Sequence, residues 1–188
     1  MLALGLSSAP ALAANPPYVA PPPQNPFTQP HPYVNPFASP GWGPSRTDMG
    51  VDWVPSRRLP VVAIGDAFIL GSDHHAHWPG HRFIWYQLLD GSHAGDVVYV
   101  AENLRQLVPA GTFVQAGHQI AVALPSFPYS EWGWADGYGS PLAYPCYSFD
   151  GKQTTAGKEM ARFMMSLGAG VYSQPGPGPD APQGKHCH

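Results

Sequence analysis

Glycine and proline interrupt this chain so often that it cannot be built from long helices: 24 prolines and 21 glycines are spread through 188 residues. Proline removes a backbone donor and clashes with the preceding helical turn, and glycine weakens helix and strand interiors alike. What lies between the breaks therefore decides the fold. From Arg46 to Tyr172 the uninterrupted runs are short and rich in Val, Ile, Phe and Tyr: Val61–Ile64, Ala67–Leu70, Phe83–Leu89, Val97–Glu102, Thr112–Val114 and Gln119–Leu124. Such residues suit a pleated, half-buried surface, and the Gly, Asp and Pro between them form turns. A parallel crossover needs about a dozen residues or more, so these short connections predict antiparallel neighbours. The expected fold class is all-β, an antiparallel sandwich or barrel-sandwich hybrid. Gly111 and Gly117 mark a double hairpin whose turns need positive φ. One helix is expected near Thr155, where Met160, Phe163, Met164 and Leu167 form an apolar stripe toward the sheet and Gly168 supplies a stop.

The ends read differently. Residues 1–14, MLALGLSSAPALAA, resemble the second half of a secretory signal peptide without its positively charged start, which leaves a truncated signal or a merely apolar terminus. Residues 15–45 hold 11 prolines and no Lys, Arg, Asp or Glu, and the words Pro17-Tyr18-Val19 and Asn25-Pro26-Phe27 recur as Pro32-Tyr33-Val34 and Asn35-Pro36-Phe37. A disordered, extended linker is expected there, with an aromatic ligand for another protein as the alternative. Residues 173–188, with Pro-Gly repeats and a terminal His186-Cys187-His188, are expected to be a disordered tail, leaving 46–172 as the folded domain.

Charge narrows the partners. Nine Lys and Arg against 12 Asp and Glu give a net charge of −3, and charged residues make up 11% of the chain. Without a basic run, the phosphate neutralisation that nucleic acid demands is missing, so no nucleic-acid partner is expected. No later stretch approaches the roughly 20 apolar residues of a membrane-crossing helix. Cys146 and Cys187 are too few for a disulfide framework and too far apart for a metal knuckle.

Three ordered motifs carry a family resemblance. Gly50-Val51-Asp52 is followed by a strand and Ala63-Ile64-Gly65-Asp66. A tyrosine-containing strand, VVYVAENL, leads into a V-x-x-G-x-x-V-x-x-G-x-x-I hairpin from Val108 to Ile120, and a late strand then ends in a G-x-P turn. From Arg46 to Ala143 the set resembles the lysostaphin-type (LytM-like) zinc endopeptidases that cut peptidoglycan cross-bridges. The resemblance implies that fold, a cell-wall glycan or peptide as partner, and a secreted or envelope location; a monomer is expected.

The same resemblance implies a zinc site of two histidines and an aspartate, with two further histidines for catalysis, and here most of those letters are changed. The first histidine position reads Asp48, the aspartate stands as Asp52, the tyrosine-strand position reads Glu102, and the final H-x-H reads Glu131 and Gly133. Glycine donates nothing, so a zinc peptidase centre is expected to be lost, and no cofactor is expected beyond a divalent cation if the acids take one. In the resembled fold Asp48, Asp52, Glu102, Asn103, Glu131 and Trp134 would line the binding groove. Carboxylates sharing a groove raise one another's pKa, which allows a hard-cation site that includes Asp52, or an acid/base pair built on Glu102 and Glu131. The plain alternative makes them turn and rim residues.

Two more clusters stand out. His74, His75, His77 and His81 put four imidazoles within eight residues, either a transition-metal site or a solvated loop. Trp78, Trp85, Tyr86, Trp132, Trp134 and Tyr138 fill a core or grip sugar rings and extended peptides. The resulting expectation is a non-catalytic wall-binding domain. A hydrolase using the carboxylates or a non-standard metal, and a structural envelope protein, are the alternatives.

Overall fold

A computed structural model of the chain describes residues 20, 24–127, 129–144 and 152–170. The apolar start, both cysteines and the tail from 173 lie outside the described residues. Among the described residues the strands are β1 (Trp42–Thr47), β2 (Val51–Pro55), β3 (Leu59–Val62), β4 (Ala67–Asp73), β5 (Phe83–Leu88), β6 (Val97–Ala101), β7 (Leu104–Arg105), β8 (Phe113–Val114), β9 (Gln119–Ala123) and β10 (Ser130–Ala135), followed by α1 (Thr155–Ser166). A seven-stranded sheet runs β1-β2-β10-β6-β5-β4-β8 and a three-stranded sheet runs β3-β9-β7, with every pairing antiparallel. The sheets are open, so the antiparallel sandwich holds and no barrel closes.

Side-chain alternation splits the large sheet into two apolar faces. Val51, Trp53, Ile84, Val98, Val100 and Trp132 pack with the small sheet and with Met160 and Met164 of α1. Phe68, Leu70, Trp85, Tyr99 and Ala101 form the other face, against which Trp78 lies. The helix starts where expected: Thr154 is its N-cap, its side chain accepting from the Gly157 N–H, and Gly168 beyond the last turn has φ 83°. Gly111 and Gly117 have φ of 85° and 79°, as their hairpin turns require. Among the described residues no helix is long and apolar enough to cross a membrane.

The Pro-rich segment corrects one expectation. From Asn25 onward it is anchored to the sheets at intervals, with exposed residues between the anchors, and β1 begins at Trp42 rather than beyond Ser45. Phe37 stacks on Trp53 at 3.7 Å and meets Trp132 edge-on at 4.7 Å. The Tyr33 hydroxyl donates to the Asp90 carbonyl at 2.6 Å, and His31 Nδ1 meets the fully buried Asp66 carboxylate at 2.9 Å. The repeated aromatic words are thus anchors: proline keeps the strap extended while Tyr33 and Phe37 bury enough surface to offset its ordering.

Candidate functional site

The spacing Arg46, Asp48, Asp52 alternates along the β1–β2 hairpin and brings all three to one face of the sheet edge. Asp48 sits in the turn, where its Oδ1 accepts the Met49 N–H at 2.6 Å and its carbonyl accepts both the N–H and the hydroxyl of Thr154 at 2.9 Å. Gly50 closes the turn because a Cβ there would lie 2.2 Å from the Trp132 carbonyl oxygen. In β2, Val51 and Trp53 enter the core, so Asp52 points the other way. Strand β10 lies between β2 and β6, with Glu131 opposite both Asp52 and Ala101. Carboxylate oxygens of Asp48, Asp52 and Glu131 consequently lie within 4.8 Å of one another.

Two residues not anticipated as site members hold this cluster. Arg46 Nε donates to Asp52 Oδ2 and lies 3.1 Å from Asp48 Oδ2, one guanidinium bridging two aspartates. The Tyr99 hydroxyl donates to Glu131 Oε1. Tyr99 reaches it because Gly133 is opposite: a Cβ at Gly133 would sit 2.4 Å from the Tyr99 ring. Gly133 makes room for a ring, and Glu131 is the third member of the set.

Glu102 closes the group from the end of β6. Its φ is 84°, unusual for a residue with a Cβ, and its carboxyl has no hydrogen-bond partner among the described residues. Burial, then the neighbouring Asp52, push its pKa up to about 8, with Arg46 opposing. Burial and Asp48 push Asp52 up to about 6 against the pull of Arg46. Glu131 is raised well above the carboxylate range by burial and by Asp52 and Asp48, and Tyr99 is raised by burial and by Glu131. Four acids out of water cannot all ionise beside one guanidinium, so protons remain on the group at neutral pH.

The zinc of the resembled enzymes does not fit this set. Imidazole is absent from it, the N–H of Arg46 already engages two of the carboxylates, and a hydroxyl donor engages the third. An ion among these oxygens would face a guanidinium at hydrogen-bond distance.

The acids are also covered. Asp48, Asp52, Glu102 and Glu131 are 0%, 3%, 6% and 2% exposed, whereas the Arg46 side chain is 56% exposed. Trp78 packs over Tyr99 and Phe83, Gly80 abuts the Glu102–Asn103 peptide, and Gly157 brings the start of α1 onto the Asp48 carbonyl. The expected groove is therefore split. Asn103 donates to the Ser126 carbonyl at 3.1 Å and caps a neighbouring loop. Trp134 points to the opposite face, where it lies 5.2 Å from His93 and 5.4 Å from Phe163.

That opposite face carries an open cleft of about 570 Å³ between the end of β10 and α1, floored by His93, Trp134 and Phe163 and edged by Asp96, Asp136, Glu159 and Arg162. A second cleft, of about 480 Å³, includes Arg58 and Arg105, and neither cleft is lined by the acid cluster. His74, His75, His77 and His81 are exposed, and no three of them bring ring nitrogens within metal-holding reach of one another among the described residues. The Pro79-Gly80 break turns that loop onto Glu102, and His81 Nδ1 lies 3.3 Å from the Ala76 carbonyl oxygen of the same loop.

No family model matches this chain, and no curated protein matches its sequence. Solved structures do. The solution structure of lysostaphin aligns with a TM-score of 0.50 at 17% identity, covering 84% of this chain and 64% of lysostaphin. The antimicrobial peptidase lysostaphin from Staphylococcus simulans aligns with a TM-score of 0.51 at 16% identity, covering 80% and 60%. The chain thus spans somewhat less than two thirds of the lysostaphin chains it matches. Its fold is lysostaphin-like.

Proposed function

We propose that this protein is an exported, non-catalytic module of lysostaphin-like fold that binds peptidoglycan. The observation supporting the non-catalytic half is the Arg46 bridge. The positive charge that a metallopeptidase draws from its ion comes here from the chain itself, and Tyr99 donates to Glu131, which leaves only Glu102 without a hydrogen-bond partner among the described residues. Nothing in such a cluster generates a nucleophile from water, because Arg46 cannot act as a Lewis acid with an open position. The wall-binding half is drawn from the fold, whose solved neighbours include a peptidase named as antimicrobial.

Co-sedimentation with purified sacculi tests both halves. The intact protein is expected to pellet with the wall, equally with or without chelator, and to release no new amino termini. Chelator-sensitive release of amino groups would overturn the reading.

A carboxylate hydrolase is the second reading, favoured by one observation: Glu102 with a pKa near 8 beside Asp52 near 6 is an acid poised next to a base. It requires the Trp78 loop to lift. Reducing sugars released from sacculi, and lost in Glu102→Gln, would select it.

A further inference from the structure

Charge is unevenly shared between the two sheets. Residues 56–65 and 103–129, which contain all three strands of the small sheet, hold Arg57, Arg58 and Arg105 but none of the chain's 12 Asp and Glu. In a chain of net charge −3 this is a positive face on an acidic molecule.

The register puts two of these arginines on the outer side of that sheet. Val61, Leu104, Ala121 and Ala123 enter the core, so Arg105, Val122 and Leu124 point outward. Strand β9 lies in the middle: Arg105 pairs with its Val122 on one side, and Arg58 precedes Leu59, the partner of Ala123, on the other. The two backbones are therefore two strand spacings apart, about 10 Å, a gap that two arginine side chains can close from opposite sides. Both are exposed, and with Gln106, Val122 and Leu124 they line the cleft of about 480 Å³. Arg105 Nη1 donates to the Leu104 carbonyl at 2.7 Å, which leaves its other N–H groups outside that bond. Among the described residues no acid lies within ion-pair distance of Arg58 or Arg105.

Two guanidiniums at one cleft repel each other until an anion comes between them. Their planar forks match the oxygens of a carboxylate or a phosphate. A carboxylate supplies one charge, whereas a phosphate monoester supplies about −1.5 to −2 at neutral pH and three acceptor oxygens, enough for both arginines and the Gln106 amide. Val122 and Leu124 between them give the organic part of an ester an apolar floor. Two cations serve one phosphate and not the backbone of a nucleic acid, in keeping with the absence of a basic run.

We propose that the cleft on the outer face of the β3-β9-β7 sheet binds a phosphate monoester, the phosphate held between Arg58 and Arg105 and the organic part lying on Val122 and Leu124. The site is separate from the acid cluster and independent of the peptidoglycan reading.

Titration of the full chain with phenyl phosphate, followed by amide chemical shifts, tests it. Saturable shifts are expected at Arg58, Gln106 and Val122, and weaker binding is expected of benzoate, which keeps the ring and carries a single charge. Arg58→Ala and Arg105→Ala should each weaken binding by about tenfold, the size of one charge-assisted contact. Arg82→Ala makes the same charge change at an exposed arginine outside the cleft and should leave binding unchanged. An unaltered Tm in all three variants shows that the fold is kept. No saturable shift, equal binding of benzoate, or equal losses in the three variants would each overturn the proposal. Vesicles of phosphatidylcholine with phosphatidic acid separate the sources of the phosphate. Pelleting that Arg58→Ala abolishes makes a lipid headgroup a ligand, and ester binding without pelleting assigns a soluble ester; both uphold the site.

Discussion

Glu131 lies directly across the β-ladder from Asp52, two acids on facing backbone positions of adjacent strands. Like charges so placed are destabilising, and the sheet tolerates them because Arg46 and Tyr99 supply donors to each. The pair is therefore a test of what the acids are for.

Arg46→Ala leaves Asp48 and Asp52 buried without their bridging cation. A loss of about 1–3 kcal/mol is expected at pH 7, the range for buried acceptors that lose a charged donor which is itself half exposed to water. In that variant millimolar calcium or manganese should recover much of the lost Tm, and in the native protein it should not. Thermal melts with and without the ions decide it. Stabilisation of the native protein by calcium would mean that the oxygens bind the ion in spite of Arg46.

Glu102 sets a pH dependence. Its pKa rises from 4.5 in the unfolded chain to about 8 in the fold, so between those values the folded state holds a proton that the unfolded state has released. Stability falls with pH in that window: the contribution is fully present below 4.5 and lost as pH rises through 8. Asp52 adds the same sign between 3.8 and about 6. Urea midpoints should be higher at pH 5 than at pH 8, and Glu102→Gln should flatten the upper part of the slope. An unchanged slope in that variant would remove Glu102 from the group.

Gly133→Ala drives a methyl into the Tyr99 ring, and an overpacking cost of about 1–3 kcal/mol is expected. Tyr99→Phe keeps the ring and removes the donor, leaving Glu131 unsatisfied at a similar cost, about 1–3 kcal/mol. The two variants should couple in a double-mutant cycle, since both act on the placement of one hydroxyl. Additive losses would show that Gly133 and Tyr99 are independent.

Removal of residues 24–45 should lower Tm by many degrees and shift the urea midpoint, because it deletes β1's first residues with Phe37. Phe37→Ala alone should cost about 3–5 kcal/mol, as for large aromatic residues truncated in a core. His31→Ala acts in a defined direction. Burial pushes Asp66 up, but hydrogen bonds from His31 and from the Ala116 N–H outweigh it and leave the pKa lowered. The Asp66 contribution is therefore present above the unfolded value of 3.8 and lost below it, and the variant should lose stability chiefly above that pH.

The sheet runs and the helix were legible because their signal is local: Val97–Ala101 is apolar throughout, Phe83–Leu88 is broken only by Gln87, and Met160, Phe163 and Met164 repeat at helical spacing. Strand β10 carried no such signal beyond its place in the motif order, since Ser130-Glu131-Trp132-Gly133 mixes polar and apolar residues on both faces. The convergence of Asp48, Asp52 and Glu131 could be expected from that order, but their enclosure could not. It depends on Trp78 and on Gly157, residues whose roles lie in contacts distant along the chain. Arg46 was readable in principle, because it shares the strand alternation with Asp48 and Asp52. The strap was misread because composition counts prolines and does not show where Tyr33 and Phe37 find their pockets.

The hydroxyl of Thr154 and the carbonyl of Asp48 are 106 residues apart in sequence and joined by one hydrogen bond. Together with the β2-β10 pairing, it means that the acid cluster is assembled from both halves of the chain. Contacts of such high sequence separation carry a large loop-closure entropy and form slowly. During synthesis Asp52 emerges first, solvated and ionised, and Glu131, which pairs opposite it, arrives some 80 residues later in the same chain. Proton uptake by Asp52 and Glu131 is thus a late event of folding: it accompanies the docking of β10, and its rate in a pH-jump experiment reports when the sheet closes.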